Sequence, residues 1–203
     1  MKIAIEGHEK AGKSSVCESI EALTRYSVTR QPDNRHLRRF IREIFEKETD
    51  WQRLPHELLT LAFAADRMYQ DLEYQDEDIW ITDRSVFSSL IIQGNTDLEF
   101  VAHINSQVML PDVVFWLRVS EDTLKERMKE GGNLLDESAL DMKDLYDNLL
   151  EVYAEATDVD LYVIECDSKD PEEIALEIVE LIQGLEDDGL IKRLKDKIRG
   201  ILC

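Results

Sequence analysis

The sequence predicts an α/β fold, a five-stranded parallel sheet flanked by helices on both faces. Short apolar runs rich in β-branched residues alternate along the whole chain with segments of helical spacing. Glycine, proline or short polar stretches separate the two kinds of segment. At 203 residues the chain can bury a full core without disulfides or metals, so one domain over 1–203 is expected.

The elements follow in order. "KIAIE" is an apolar run closed by Gly7, a buried-strand signal, and residues 13–23 have helical spacing. "YSVTR" is a second strand, stopped by Pro32. Leu37, Phe40, Ile41, Ile44 and Phe45 give residues 35–48 a helical apolar face. Pro55 suits the first turn of a helix running to about Tyr74. "DIWITD" is a third strand, 97–109 a helix, and "VVFWLRV" a fourth strand introduced by Pro111. Ser120 is placed to cap a helix over 121–129. A loop, "EGGNLLDES", precedes a helix over about 140–156, and "DLYVIE" is the fifth strand. Pro171 opens a helix to about Gln183, "QGLEDDG" reads as a linker, and a short amphipathic helix over about 190–202 closes the chain.

Composition narrows the function classes. The net charge of −20, from 44 acidic against 24 basic residues, argues against general binding to nucleic acid. It leaves room for a small anion, because Arg30, Arg35, Arg38, Arg39 and Arg42 crowd one stretch. Cys17, Cys166 and Cys203 are an odd number with no motif spacing, as expected of free thiols in a reducing compartment. No segment reaches the ~18 apolar residues of a membrane span and no signal peptide is evident, so a cytoplasmic protein without a membrane partner is expected. His8, His36, His56 and His103 form no metal-binding spacing.

Gly7-x4-Gly12-Lys13-Ser14 completes the G-x4-G-K-[ST] pattern between an expected strand and an expected helix. Glycines let backbone N–H groups curl around phosphate oxygens, and the helix N-terminus adds its dipole. Residues 7–15 (Gly7, His8, Glu9, Lys10, Ala11, Gly12, Lys13, Ser14, Ser15) are therefore candidates for ATP binding. Lys13 would neutralise the β- and γ-phosphates and Ser14 would hold Mg²⁺. The third strand ends in Asp83-Arg84, at the carboxyl edge where open α/β sheets bind ligands. Asp83 there could orient Mg²⁺ or accept a substrate proton, and Arg84 could clamp an acceptor phosphate. Phe63 and Arg67, four residues apart, share a helix face, which suits a ring stacked on a base and a guanidinium bonded to its carbonyl. The same spacing also suits a core ring beside a surface arginine.

Taken in order, "IEGHEKAGKSS", "TRQPD", "LAFAADR", "TDRSVFSSLIIQG" and "PDVVFWLRVSEDTLKERM" resemble the thymidylate kinases, nucleoside monophosphate kinases of the P-loop kinase fold. The resemblance implies transfer of the ATP γ-phosphoryl group to dTMP, with Mg²⁺ as cofactor and a homodimeric assembly. It implies that Phe63 stacks on thymine, that Arg67 bonds its O4 and that Arg84 holds the 5′-phosphate. Ser89 would lie near the base N3 with Gln93 beside it, and Arg30 and Arg35 would lie at or near the arginine positions after the second strand. Glu9 would occupy the loop carboxylate that meets the sugar and magnesium region. Many members of the family need one mobile base over the transferring group, placed in the loop or in the lid. The lid candidate, within about 129–141, has no lysine or arginine from 130 to 140, so Lys10 is assigned that charge. Arg127, before the lid, could reach the ATP phosphates or adenine, or could only extend its helix's charge pattern.

Two other readings stay open on the residues. "DRSVFSS" also resembles the acidic-Arg-Ser motif of deoxynucleoside kinases, which phosphorylate a 5′-hydroxyl. A nucleotide-binding paralogue without transfer activity is the third.

Overall fold

The computed structural model describes residues 1–33, 37–41, 43, 56–130 and 137–202, and only the backbone at 130, 137, 138 and 187–202. Five strands form one sheet: β1 (Lys2–Glu6), β2 (Ser27–Arg30), β3 (Trp80–Asp83), β4 (Val113–Arg118) and β5 (Asp160–Glu165). Their order is β2-β3-β1-β4-β5, and every pairing is parallel. The helices are α1 (Lys13–Leu23), α2 (His56–Tyr74), α3 (Val86–Ile92), α4 (Gly94–Ile104), α5 (Glu121–Glu130), α6 (Glu137–Ala156) and α7 (Pro171–Leu202). Residues 37–41 are also helical.

The period-2 geometry of a strand sorts β1 between two cores. Ile3 and Ile5 join Val16, Cys17 and Ile20 of α1 and Ile174, Ile178 and Ile182 of α7. Ala4 points to the opposite face, where Phe87 and Ile91 of α3 meet Tyr146 and Leu150 of α6 over Val114 and Trp116 of β4. Glu6 shares that second face and is fully buried. Burial on both faces explains why β1, β3 and β4 read as nearly unbroken apolar runs.

The strand and helix expectations hold with four differences. A seven-residue helix, α3, follows Arg84 where the sequence suggested no element. Its start is capped by Ser85, whose Oγ accepts from the Phe87 N–H. The next helix begins at Gly94 and kinks at Asp97 (φ −152°, ψ 87°). The Asp97 carboxylate accepts from the Phe100 N–H at 3.0 Å, so Asp97 caps the remainder, which ends at Ile104 rather than 109. Helix α6 starts at Glu137 where a start at about 140 was expected. Finally, α7 runs unbroken from Pro171 to Leu202 through the stretch expected to be a linker. A helical glycine such as Gly184 costs about 1 kcal/mol but breaks nothing by itself. The helix expected over 35–48 lies largely outside the described residues, as does Pro55. The expected cap at Ser120 is present, with its Oγ accepting from the Thr123 N–H at 3.2 Å.

Cys17 and Cys166 are free and fully buried. Burial pushes the Cys17 thiol far above its ordinary value and the Cys166 thiol up to about 11. At pH 8, Ellman's reagent should therefore count at most one of the three cysteines in the native protein and all three after denaturation. Two fast-reacting native thiols would contradict this burial.

No helix among the described residues is long and apolar enough to cross a membrane.

Candidate active site

The carboxyl edge of the sheet gathers the candidate residues. In register, Arg30, Asp83, Ile5 and Phe115 lie abreast on β2, β3, β1 and β4. The loops that leave β1 and β3 therefore open side by side, and the Arg84 N–H donates to the Ile5 carbonyl at 3.0 Å.

The loop after β1 is shaped by two left-handed glycines, Gly7 (φ +147°) and Gly12 (φ +101°). A Cβ on Gly7 would lie 2.7 Å from the Leu117 carbonyl oxygen, so the turn admits no side chain there. Lys10, between them, also takes a left-handed backbone (φ 64°). Lys13 leads α1 and is buried, its ammonium donating to the His8 carbonyl at 2.6 Å. Desolvation, reinforced by the positive charge of Arg84, lowers its pKa to about 7. Incoming phosphate oxygens would add to the counter-charge that Asp83, Glu6 and Glu9 already supply nearby. The Ser14 hydroxyl donates to Asp83 Oδ2 at 2.7 Å, while Asp83 Oδ1 is buried with no hydrogen-bond partner. Two adjacent hard oxygens with one open lone-pair set fit a magnesium ion.

Three cavities run in a row along this edge. The central one, ≈ 520 Å³, is lined by Glu9, Lys10, Gly12, Lys13, Ser14, Ser15, Arg30, Asp83 and Arg84. Beside it lies a cavity of ≈ 350 Å³ bounded by Lys10, Ala11, Gly12, Arg127 and Pro171. Arg127 donates to the carbonyls of Lys10, Ala11 and Cys166. On the other side a cavity of ≈ 420 Å³ contains Phe63, Arg67, Ser89 and Gln93, and it shares Glu9, Gln31 and Arg84 with the central one.

This third cavity is where Phe63 and Arg67 lie. Phe63 is half-buried and faces the cavity instead of the core, with the Arg67 guanidinium carbon 5.7 Å from its ring centre. Arg67 is 2 % exposed and donates to Gln31 Oε1 (2.7 Å), Ser89 Oγ (2.9 Å) and Asn105 Oδ1 (3.1 Å). Burial lowers its pKa to about 10, so it stays charged near neutrality. Gln93 Oε1 is buried without a partner.

The geometry thus brings together all the sequence-derived candidates but three. Arg35 lies outside the described residues. Gly7 and His8 line none of the three cavities: Gly7 shapes the loop, and the His8 ring is buried with Nδ1–H donating to the Glu9 carbonyl at 2.5 Å. Burial lowers the His8 pKa to about 4, which keeps it neutral. Arg30 lines the central cavity and also pairs with Glu18 at 2.7 Å. Sequence reasoning gave no role to Gln31 or Tyr146, which line a cavity, and Arg38, singled out only within the arginine cluster, lines the central one. Nor did it give one to Glu6, although a carboxylate ending an apolar strand was a visible signal.

Comparison with known proteins agrees with this geometry. The family model for thymidylate kinase matches residues 5–178. A probable thymidylate kinase from Pyrobaculum aerophilum is 31% identical over 189 residues, covering 89% of this chain and 95% of that protein. One from Methanocaldococcus jannaschii is 28% identical over 192 residues, covering 91% and 97%. Among solved structures, the thymidylate kinase of Candida albicans superposes with a TM-score of 0.68 at 16% identity, covering 91% of this chain and 92% of that one. That of Ehrlichia chaffeensis gives 0.64 at 20%, covering 90% and 98%. These two share the fold, and the sequence matches go further: the chain belongs to the thymidylate kinase family.

Proposed function

We infer that the protein transfers the γ-phosphoryl group of ATP to dTMP, giving ADP and dTDP. The observation that carries this reading is the junction of the two larger cavities. Arg84 and Glu9 stand where a phosphate loop meets a chamber walled by an aromatic ring and a buried guanidinium. A nucleotide with its base in the ≈ 420 Å³ chamber would direct its 5′-phosphate at Arg84 and at the end of a triphosphate held by the loop.

Each side chain then has a task. Phe63 offers a face to the pyrimidine, and Arg67 donates to its O4. Gln93 Oε1, unpartnered and buried, is suited to accept from a base N3–H, which thymine has and neutral cytosine lacks. Lys13 and the loop N–H groups hold the donor phosphates, and Arg127 and Pro171 flank the room for its base. Ser14 and Asp83 would hold magnesium, which would neutralise charge on the β- and γ-oxygens when bound. In the transfer, an oxygen of the dTMP phosphate forms a bond to the γ-phosphorus as the bond to the β,γ-bridging oxygen breaks. The protein positions the two and neutralises charge.

An acceptor screen coupled to ADP release tests the reading. Turnover with dTMP and little with thymidine or deoxycytidine is expected. Preference for a nucleoside would favour the 5′-hydroxyl kinases, and silence with every acceptor would favour a binding protein.

We also propose that two copies pair through α2 and α4. Leu58, Leu61, Met68 and Leu72 make an exposed apolar stripe along α2 at helical spacing, and Leu98 of the adjoining α4 is 43% exposed. Light scattering should return twice the 23.6 kDa chain mass, and Leu61→Glu should halve it. A monomeric parent protein would remove this proposal.

A further inference from the structure

We propose that Glu6 is a positioning residue for the acceptor phosphate: its buried carboxylate fixes the direction of a hydrogen-bond relay through Ser88 and Tyr146 that holds Arg84 by one edge and leaves the other edge to the acceptor. This rests on the reading that Arg84 meets the acceptor phosphate.

Glu6 is fully buried at the end of β1, where packing alone would favour an apolar residue. Its Oε1 accepts from the Ser85 N–H and the Ser85 hydroxyl, both at 2.7 Å, and from the Ser88 N–H at 3.3 Å. Its Oε2 accepts from the Ser88 hydroxyl at 2.8 Å. One carboxylate therefore ties down the residue after Arg84 and the first turn of α3.

The relay follows from counting donors. An ionised carboxylate only accepts, so the single Ser88 hydroxyl proton goes to Glu6. Ser88 Oγ then accepts from the Tyr146 O–H at 2.8 Å and from Arg84 Nη1 at 3.2 Å. With its own proton directed at Ser88, the Tyr146 oxygen accepts from Arg84 Nη1 at 3.0 Å. Every link thus points toward Glu6, and the chain ends on the one side chain in the set that cannot accept. Nη1 is the held nitrogen. Nη2 and Nε of Arg84 make no hydrogen bond among the described residues, and the side chain lines the junction of the central and base cavities. The free edge is the one a phosphate would need for a bidentate contact.

Glu6→Gln keeps the shape and reverses one link. An amide N–H₂ facing Ser88 Oγ makes that oxygen an acceptor, so the Ser88 proton turns to Tyr146. The Tyr146 proton is then left facing a guanidinium. Arg84 loses its support while the donor loop keeps all its contacts.

The test is a four-variant cycle of the parent protein, Glu6→Gln, Arg84→Ala and the double variant. It is read as kcat, as KM for dTMP and as affinity for a non-hydrolysable ATP analogue. Glu6→Gln should raise KM for dTMP at least tenfold, leave kcat within threefold and leave the ATP analogue's affinity unchanged. In the Arg84→Ala background it should change kcat/KM less than twofold. An unchanged KM overturns the proposal, and so does a tenfold loss that persists without Arg84. Should Glu6→Gln not fold, Tyr146→Phe removes the two hydrogen bonds of the Tyr146 hydroxyl, to Ser88 and from Arg84, and should show the same selective rise in KM, with a parental KM overturning the proposal. Failure of the parent protein to phosphorylate dTMP would count against the functional reading instead. The cycle would then be run with the monophosphate that the acceptor screen selects, with the same outcomes deciding.

Discussion

Lys10→Ala is expected to lower kcat by about three orders of magnitude and to leave KM for dTMP within about threefold, the pattern of a charge used only in the transition state. Lys10 lines both the central cavity and the one beside it, and its side chain is exposed. Its left-handed backbone places it at the crest of the loop between two positive-φ glycines. Among the described residues its ammonium has no carboxylate partner within salt-bridge distance. The nearby alternative is committed elsewhere, because Arg127 donates to three backbone carbonyls, two of them in the loop itself. The lid segment expected at about 129–141 lies partly outside the described residues, and its sequence has no lysine or arginine from 130 to 140. A charge that spreads over the equatorial oxygens during transfer would therefore be met by Lys10. Lys10→Arg should keep activity within about tenfold, since it preserves the charge and changes the fork. Steady-state ADP release with saturating dTMP checks both, and a Lys10→Ala enzyme with parental kcat would strip Lys10 of this role.

The phosphate loop was legible in the sequence because its chemistry is local. The eight residues from Gly7 to Ser14 carry it, and Gly7 and Gly12 mark the two places where only a glycine fits comfortably. Phe63 and Arg67 were legible as a pair because the helix itself puts them on one face. Their burial was not, since a ring facing a cavity and a ring facing a core have the same spacing. The network behind Arg84 was hidden for a different reason. Glu6 meets Ser85 and Ser88 across 79 and 82 positions, and Ser88 meets Tyr146 across 58. No periodicity links residues that distant.

The missed elements have physical causes too. In α3, "VFSSLII" is buried on almost every side, so it shows no polar face from which to read a helical period. The break assigned to 183–189 gave Gly184 more weight than it carries, since nothing lies within 4 Å of where its Cβ would be and no proline interrupts the helix. Sheet order was beyond reach as well. Apolar runs identify strands, but they do not say that β1 lies between β3 and β4.

Arg84→Ala is expected to weaken dTMP binding by about two orders of magnitude, the loss typical of removing one partner from a desolvated charge-assisted contact. Thymidine, which lacks the phosphate, should bind the variant and the parent equally, so the ratio of the two affinities isolates the phosphate contact. The backbone adds a second, independent readout. Arg84 has φ 78°, a left-handed conformation that an arginine adopts at a cost, held by its N–H to Ile5 and by Thr82 Oγ1 donating to its carbonyl at 2.9 Å. Alanine keeps that strain, whereas glycine relieves it by about 1 kcal/mol. Arg84→Gly should therefore be more stable than Arg84→Ala, the reverse of the usual order, while both lose the acceptor alike. Thermal or urea unfolding of the two variants, set beside calorimetric titration with dTMP and thymidine, measures the strain apart from the binding. If glycine proved the less stable of the two, the left-handed turn would not be strained. If dTMP and thymidine lost affinity together, Arg84 would not be the phosphate's partner.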